Sequence, residues 1–148
     1  MKPDVPVALQ KLSMTLLTEI APAVGVDYLQ RNSALAAIML QMAAEEFDRA
    51  AARLVEENTA LRTLFGNASP GVTDAALRER LERASGGGDP DLRISALERA
   101  NRDLRALVIE LHAHVEERSD AVSKRIEAAI WVELRRSTER RAFPLAPF

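Results

Sequence analysis

The chain has 148 residues, of which 47 % are hydrophobic and 28 % charged, with 20 basic against 22 acidic side chains, a formal charge of −2 and no cysteine. A length of this order fits one domain that buries about two thirds of its unfolded surface. The near-balanced charge offers no overall field for nucleic acid, an anionic membrane or an acidic substrate, and the absence of cysteine removes disulfides, thiolate catalysis and thiolate-held metals.

The first residues, Met1 to Pro6, lack the apolar centre of a signal peptide, and the apolar runs elsewhere fall short of a membrane span, so a cytoplasmic protein is expected. Asp4 can cap a helix whose stripe runs through Leu9, Leu12, Leu16 and Ile20, widened by Met14 and Leu17, with Pro6 tolerated in the first turn. The stripe stops at a corner from Ala21 to Gly25, where Pro22 disfavours helix before it and Gly25 permits a reversal. Asp27 and Gln30 have the form of a capping box, so a long helix is expected from Tyr28 to Phe65. Along it Ala37, Leu40, Ala44, Phe47, Ala51, Leu54, Asn58, Leu61 and Phe65 keep heptad phase, as in a coiled coil, with small residues alternating with large ones so that a partner helix can come close.

Gly66 to Gly71 ends that helix, Thr73 and Asp74 announce a short helix from Asp74 to Ala84, and Gly86-Gly87-Gly88 makes 66–90 a flexible connection around it. Asp89-Pro90-Asp91 has the composition of a helix start. No Gly or Pro then appears until Pro144, and the stripe Ile94, Leu97, Asn101, Leu104, Val108, Leu111, Val115 runs in phase before it would need Arg118 on the core face. It resumes at Val122, Ile126, Ile130 and Leu134; one continuous or kinked helix is expected, the alternative being a new helix capped by Ser119. Residues 142–148 read as an extended apolar tail in which Leu145 and Phe148 are candidates for docking on a partner.

Both seams carry one Asn at the same heptad position, and the surrounding residues match in type: Leu54, Asn58, Leu61, Arg62 and Leu64 against Leu97, Asn101, Leu104, Arg105 and Leu107. A buried amide needs a partner, so Asn58 and Asn101 read as register-fixing residues. In a hairpin they come within reach of each other, Arg62 flanks Glu98 and Asp48 flanks His112; between two chains the same residues mark an interface.

Candidate chemistry is sparse. His112 and His114 are two apart and point to different faces of a helix, whereas His112, Glu116 and Asp48 compose at most a weak metal site, because the Glu-x-x-His spacing of di-iron bundles is absent. Glu45, Glu46, Glu56 and Glu57 read as solvated faces rather than acid and base groups. The basic segment with Arg135, Arg136, Arg140 and Arg141 suits a helix C-terminus, and no nucleic-acid motif accompanies it. No catalytic residue, cofactor or metal is therefore expected.

Ile20-Ala21-Pro22-Ala23 before a long Ala-rich helix, and Ala100-Asn101-Arg102-Asp103-Leu104 near the start of the last one, resemble the small all-helical bacterial proteins of unknown function. That resemblance implies no activity and no functional residue. The expected fold is all-α, an up-and-down bundle of two long antiparallel helices, an N-terminal helix and a short connecting helix, in one domain. Leftover apolar surface points to a homodimer or a protein partner, hence a non-catalytic interaction or structural protein. The alternatives are a bundle holding a small apolar ligand near Met39, Met42, Phe47 and Leu111, and a metal-dependent enzyme around Asp48, His112 and Glu116.

Overall fold

The computed structural model describes residues 4–143, which hold helices and no strand. In chain order they are α1, Val5–Thr15; α2, Asp27–Ala68; α3, Ala75–Ser85; α4, Ile94–Glu116; and α5, Ala121–Arg140. The protein is all-α, and its contacts group into two compact units, one ending at Ala50 and one covering Ala51–Ala142, with α2 contributing to both. No helix among the described residues is long and apolar enough to cross a membrane. The tail residues Leu145 and Phe148 lie outside the described residues.

In the first unit Asp4 accepts a hydrogen bond from the Val7 N–H at 3.3 Å and starts α1. A π-helical turn, Leu16–Ile20, continues it into Ala21–Ala23. Pro22 has no N–H to offer the helix, and beside it the Ala21 N–H reaches back five residues to the Leu16 carbonyl. The seam with α2 is made of small residues: Ser13, Ala37 and Ala44 are buried, and the Ser13 hydroxyl donates to the Ala37 carbonyl at 2.8 Å. A side chain as short as serine reaches a neighbouring backbone only if the helices approach closely, which the alanines permit. The stripe expected for α1 is therefore corrected: Leu9, Leu16 and Leu17 are half-buried, whereas Leu12, Met14 and Ile20 are exposed. Phe47, expected in the α2 seam, is also exposed, whereas Ala37, Ala44, Leu54, Asn58, Leu61 and Phe65 of that seam are buried and Leu40 and Ala51 half-buried.

The second unit has a core of larger side chains. Leu61, Leu64 and Phe65 of α2, Leu77 and Leu81 of α3, Leu104, Leu107, Val108, Leu111 and Val115 of α4, and Ile126 and Ile130 of α5 form one cluster. Asp74 caps α3 through the Leu77 N–H at 2.9 Å. The 3-10 turn Ser69–Gly71 lies against α5 so tightly that a Cβ on Gly71 would stand 2.6 Å from Val122 Cγ1 and 3.0 Å from Ile126 Cδ1.

The expected continuous helix over 91–141 is two helices. α4 ends at Glu116, and the Asp120 carboxylate caps α5 by accepting from the Val122 and Ser123 N–H groups at 3.1 and 3.0 Å and from the Ser123 hydroxyl at 2.8 Å. The Ser123 backbone bond, followed by its hydroxyl and by Arg118, lowers the Asp120 carboxyl to about 2. The break resolves the conflict at Arg118, since the α4 and α5 stripes then meet one core without burying that charge. The helix start expected at Asp89-Pro90-Asp91 is also corrected: α4 begins at Ile94, and Asp89 is occupied elsewhere.

Candidate functional site: a clamped glutamate beside an amphipathic cavity

The polar groups of the second unit gather where α2, α4 and α5 meet. Glu57 is fully buried, and its two oxygens are taken by donors from the other two helices. Oε1 accepts from Arg105 Nη1 at 3.1 Å, Arg141 Nε at 3.3 Å and the Ser137 hydroxyl; Oε2 accepts from Arg141 Nη2 at 2.7 Å and Asn101 Nδ2 at 3.3 Å. Burial pushes this carboxyl up, but the bonds from Arg141 and Ser137 and the charges of Arg141 and Arg105 outweigh it, and Glu57 stays ionised below the usual glutamate range.

The layer continues away from Glu57. Asn101 Nδ2 also donates to Asn58 Oδ1 at 3.0 Å, and Asn58 Nδ2 donates to the Leu97 carbonyl at 3.3 Å and to Asp89 Oδ1 at 3.2 Å. Arg62 grips Asp89 with both terminal nitrogens, at 2.7 and 2.9 Å, and donates to the Gly88 carbonyl at 3.2 Å. The Arg62 fork holds the Asp89 carboxyl below its ordinary value against the opposing effect of burial. On the other side Arg140 bridges Glu133 at 2.8 Å and Glu56 at 2.9 Å.

Beside Glu57 lies a cavity of about 150 Å³. Leu61, Val108, Ile130 and Leu134 supply apolar wall, and Arg105, His112, Glu133 and Ser137 supply polar edge. The His112 ring stands edge-on to Trp131, with centroids 5.4 Å apart and planes at 86°, and its buried Nε2 has no hydrogen-bond partner among the described residues. Among the groups that face one another here, Glu57 and Glu133 are held by arginines, which leaves Arg105 and His112 as the side chains with spare capacity.

The structure brings Asn58 and Asn101 together within one chain, joining α2 to α4 as the hairpin reading requires. It does not bring Arg62 to Glu98; Arg62 takes Asp89, while Glu98 is exposed. The His112 ring meets Trp131, Asp48 is an exposed residue of the first unit, and Glu116 is exposed at the end of α4. Among the described residues no three His, Asp or Glu side chains are placed to hold a metal. Met39, Met42 and Phe47 are exposed residues of the first unit, and Leu111 is fully buried in the core of the second.

Glu57 is the residue that sequence reasoning missed. It adjoins Glu56 and reads as half of a solvated pair, but Glu57, Leu61, Leu64 and Ala68 are spaced four, three and four apart and form a second buried stripe on α2. A helix that meets two neighbours needs two stripes, and that spacing was the available signal.

Comparison with protein-family models, with curated proteins and with solved structures finds no match.

Proposed function

We propose that this chain is a non-catalytic interaction protein that self-associates through its N-terminal helical hairpin. One observation carries the reading. Tyr28, Leu35, Met39 and Met42 recur on one face of α2 at intervals of seven, four and three, opposite the Ala37 and Ala44 seam, and all four are exposed. Four such side chains present on the order of 500 Å² of apolar surface, the size at which a patch marks an interaction site. Val7, Leu12, Met14, Ile20, Val26, Leu29 and Phe47 add exposed apolar area in the same unit, while its buried residues, among those described, are Ser13 and alanines. A hairpin that keeps its large apolar side chains outside gains little from folding by itself and much from a partner. A second copy supplies a matching surface by symmetry, since the same face on both chains is self-complementary.

The polar cluster of the second unit supports the non-catalytic part of the reading. Its carboxylates are engaged by arginine, serine and asparagine donors, and the one hydroxyl that Glu57 accepts from, that of Ser137, is held in the same buried clamp.

Light scattering on a size-exclusion column tests the proposal. The wild-type chain should elute as a concentration-dependent dimer, and the double variant Leu35→Glu, Met39→Glu, which charges one exposed face without touching the seam, should be a monomer of unchanged helicity. A wild-type monomer at about 100 µM, a concentration well above the range of a specific homodimer, overturns it.

A further inference from the structure

The cavity beside Glu57 has a lip, and the lip is basic. Arg105 and Ile109 belong both to the cavity and to an open groove whose other residues include Arg53, Arg102 and Arg141, opposed by Glu98. Ile109 is 70 % exposed, so solvent reaches the cavity on this side. From this juxtaposition we infer that the second unit binds a small organic carboxylate with a compact apolar body, the body in the cavity and the carboxylate on Arg105.

Size, wall chemistry and charge agree on that class. A void near 150 Å³ has about the size that accepts a benzene-sized group, roughly six carbons. Leu61, Val108, Ile130 and Leu134 present hydrocarbon to such a body. Arg105 commits Nη1 to Glu57 and Ser137, while its Nε and Nη2 have no acceptor among the described residues. A guanidinium edge with two parallel N–H donors matches a carboxylate in a way that a neutral oxygen or a bare ammonium cannot. The neighbouring acids offer no obstacle, since Glu57 is balanced by Arg105 and Arg141 and Glu133 by Arg140. A ligand cation would instead face the arginines of the groove. The buried His112 Nε2 is a second polar atom at the cavity wall without a partner among the described residues, and in its protonated tautomer it donates to a ligand oxygen.

This site is independent of the self-association surface and stands or falls separately. The full chain is titrated with benzoate, with cyclohexanecarboxylate, with benzyl alcohol, which keeps a ring and loses the charge, and with acetate, which keeps the charge and loses the body, all at one ionic strength. Amide and indole resonances are followed by nuclear magnetic resonance. Benzoate or cyclohexanecarboxylate should saturate with shifts centred on Val108, Ile109, His112 and the Trp131 indole, at least ~10-fold tighter than benzyl alcohol or acetate, because each control lacks one half of the recognition. Leu134→Phe, at a half-buried position that tolerates bulk, and Val108→Phe each fill the cavity and should abolish the shifts in a chain that still melts cooperatively; either variant suffices if the other fails to fold. Absence of saturable shifts up to about 10 mM, acetate or benzyl alcohol binding as well as benzoate, or undiminished binding in a folded cavity-filled variant overturns the inference.

Discussion

Glu57 shows how a single charge decides whether three helices stay in register. Removing it leaves the Ser137 hydroxyl and two guanidinium groups without this acceptor and takes from the Asn101 amide one of its two; the arginines, at 39 % and 44 % side-chain exposure, can turn to water, whereas Ser137 is buried and cannot. Glu57→Ala should therefore cost about 3 kcal/mol in urea denaturation, the lower end for breaking a buried pair. Glu57→Gln keeps the shape but replaces two acceptors with one acceptor and a donor that faces Arg141, and should cost less than Ala but remain clearly destabilising. Because the native carboxyl lies below its ordinary value of 4.5, its stabilisation is fully present above that value and is lost as the pH falls through the lowered native value. The wild-type melting temperature should drop across that window more steeply than that of Glu57→Gln, and parallel pH profiles would contradict the assigned role. Asn58 and Asn101 were legible in the sequence, since a lone amide at a seam position demands a partner. Glu57 was hidden by Glu56, because adjacent identical residues on a helix lie about 100° apart and have unlike surroundings.

At the scale of elements, the starts of α1 and α3 and most of α2 could be read from Asp4, Asp74 and the heptad spacing, since capping and periodicity are local, but α2 runs on through Gly66 to Ala68 instead of ending at Phe65. The break between α4 and α5 could not be read so directly: no residue from Glu116 to Asp120 forbids helix, and what ends it is the need to keep Arg118 off the core together with the bonds Asp120 gives α5. Asp89 was misassigned for a related reason. Its composition suits a helix start, but Arg62, distant in sequence, outcompetes the backbone for it. The turn at Gly71 was recognised as a turn, though its closeness to α5 depends on where α5 lies. Gly71→Ala should thus destabilise by about 1–3 kcal/mol, because the new methyl meets branched side chains of Val122 and Ile126 that sit in a packed cluster and have little room to yield. Gly88→Ala, where nothing lies within 4 Å, is the control and should change stability by less than about 0.5 kcal/mol. Equal effects at both positions would mean that the approach of the Ser69–Gly71 turn to α5 is looser than its geometry states.

At the scale of the whole molecule, the two units are stabilised by different means, and this difference gives self-association a measurable signature. The second unit holds a cluster of large side chains from four helices, so amides from Leu104 to Leu111 should exchange with solvent only when that unit opens as a whole, by itself. The first unit buries Ser13 and alanines and exposes its large apolar side chains, so the amides of α1 should open locally at far lower cost. If a second copy covers the Tyr28, Leu35, Met39 and Met42 face, association stabilises the unit that carries the face. By mass action a partner at 100 times its dissociation constant adds about 2.7 kcal/mol, which slows exchange roughly 100-fold. Raising the protein concentration across the dimerisation range should therefore slow the amides of α1 and of α2 up to Ala50, leaving Leu104 to Leu111 nearly unchanged, and Leu35→Glu, Met39→Glu should abolish the dependence. Exchange that does not respond to concentration in the wild type, or that responds equally in both units, would show that this face is not where the chain meets its own copy.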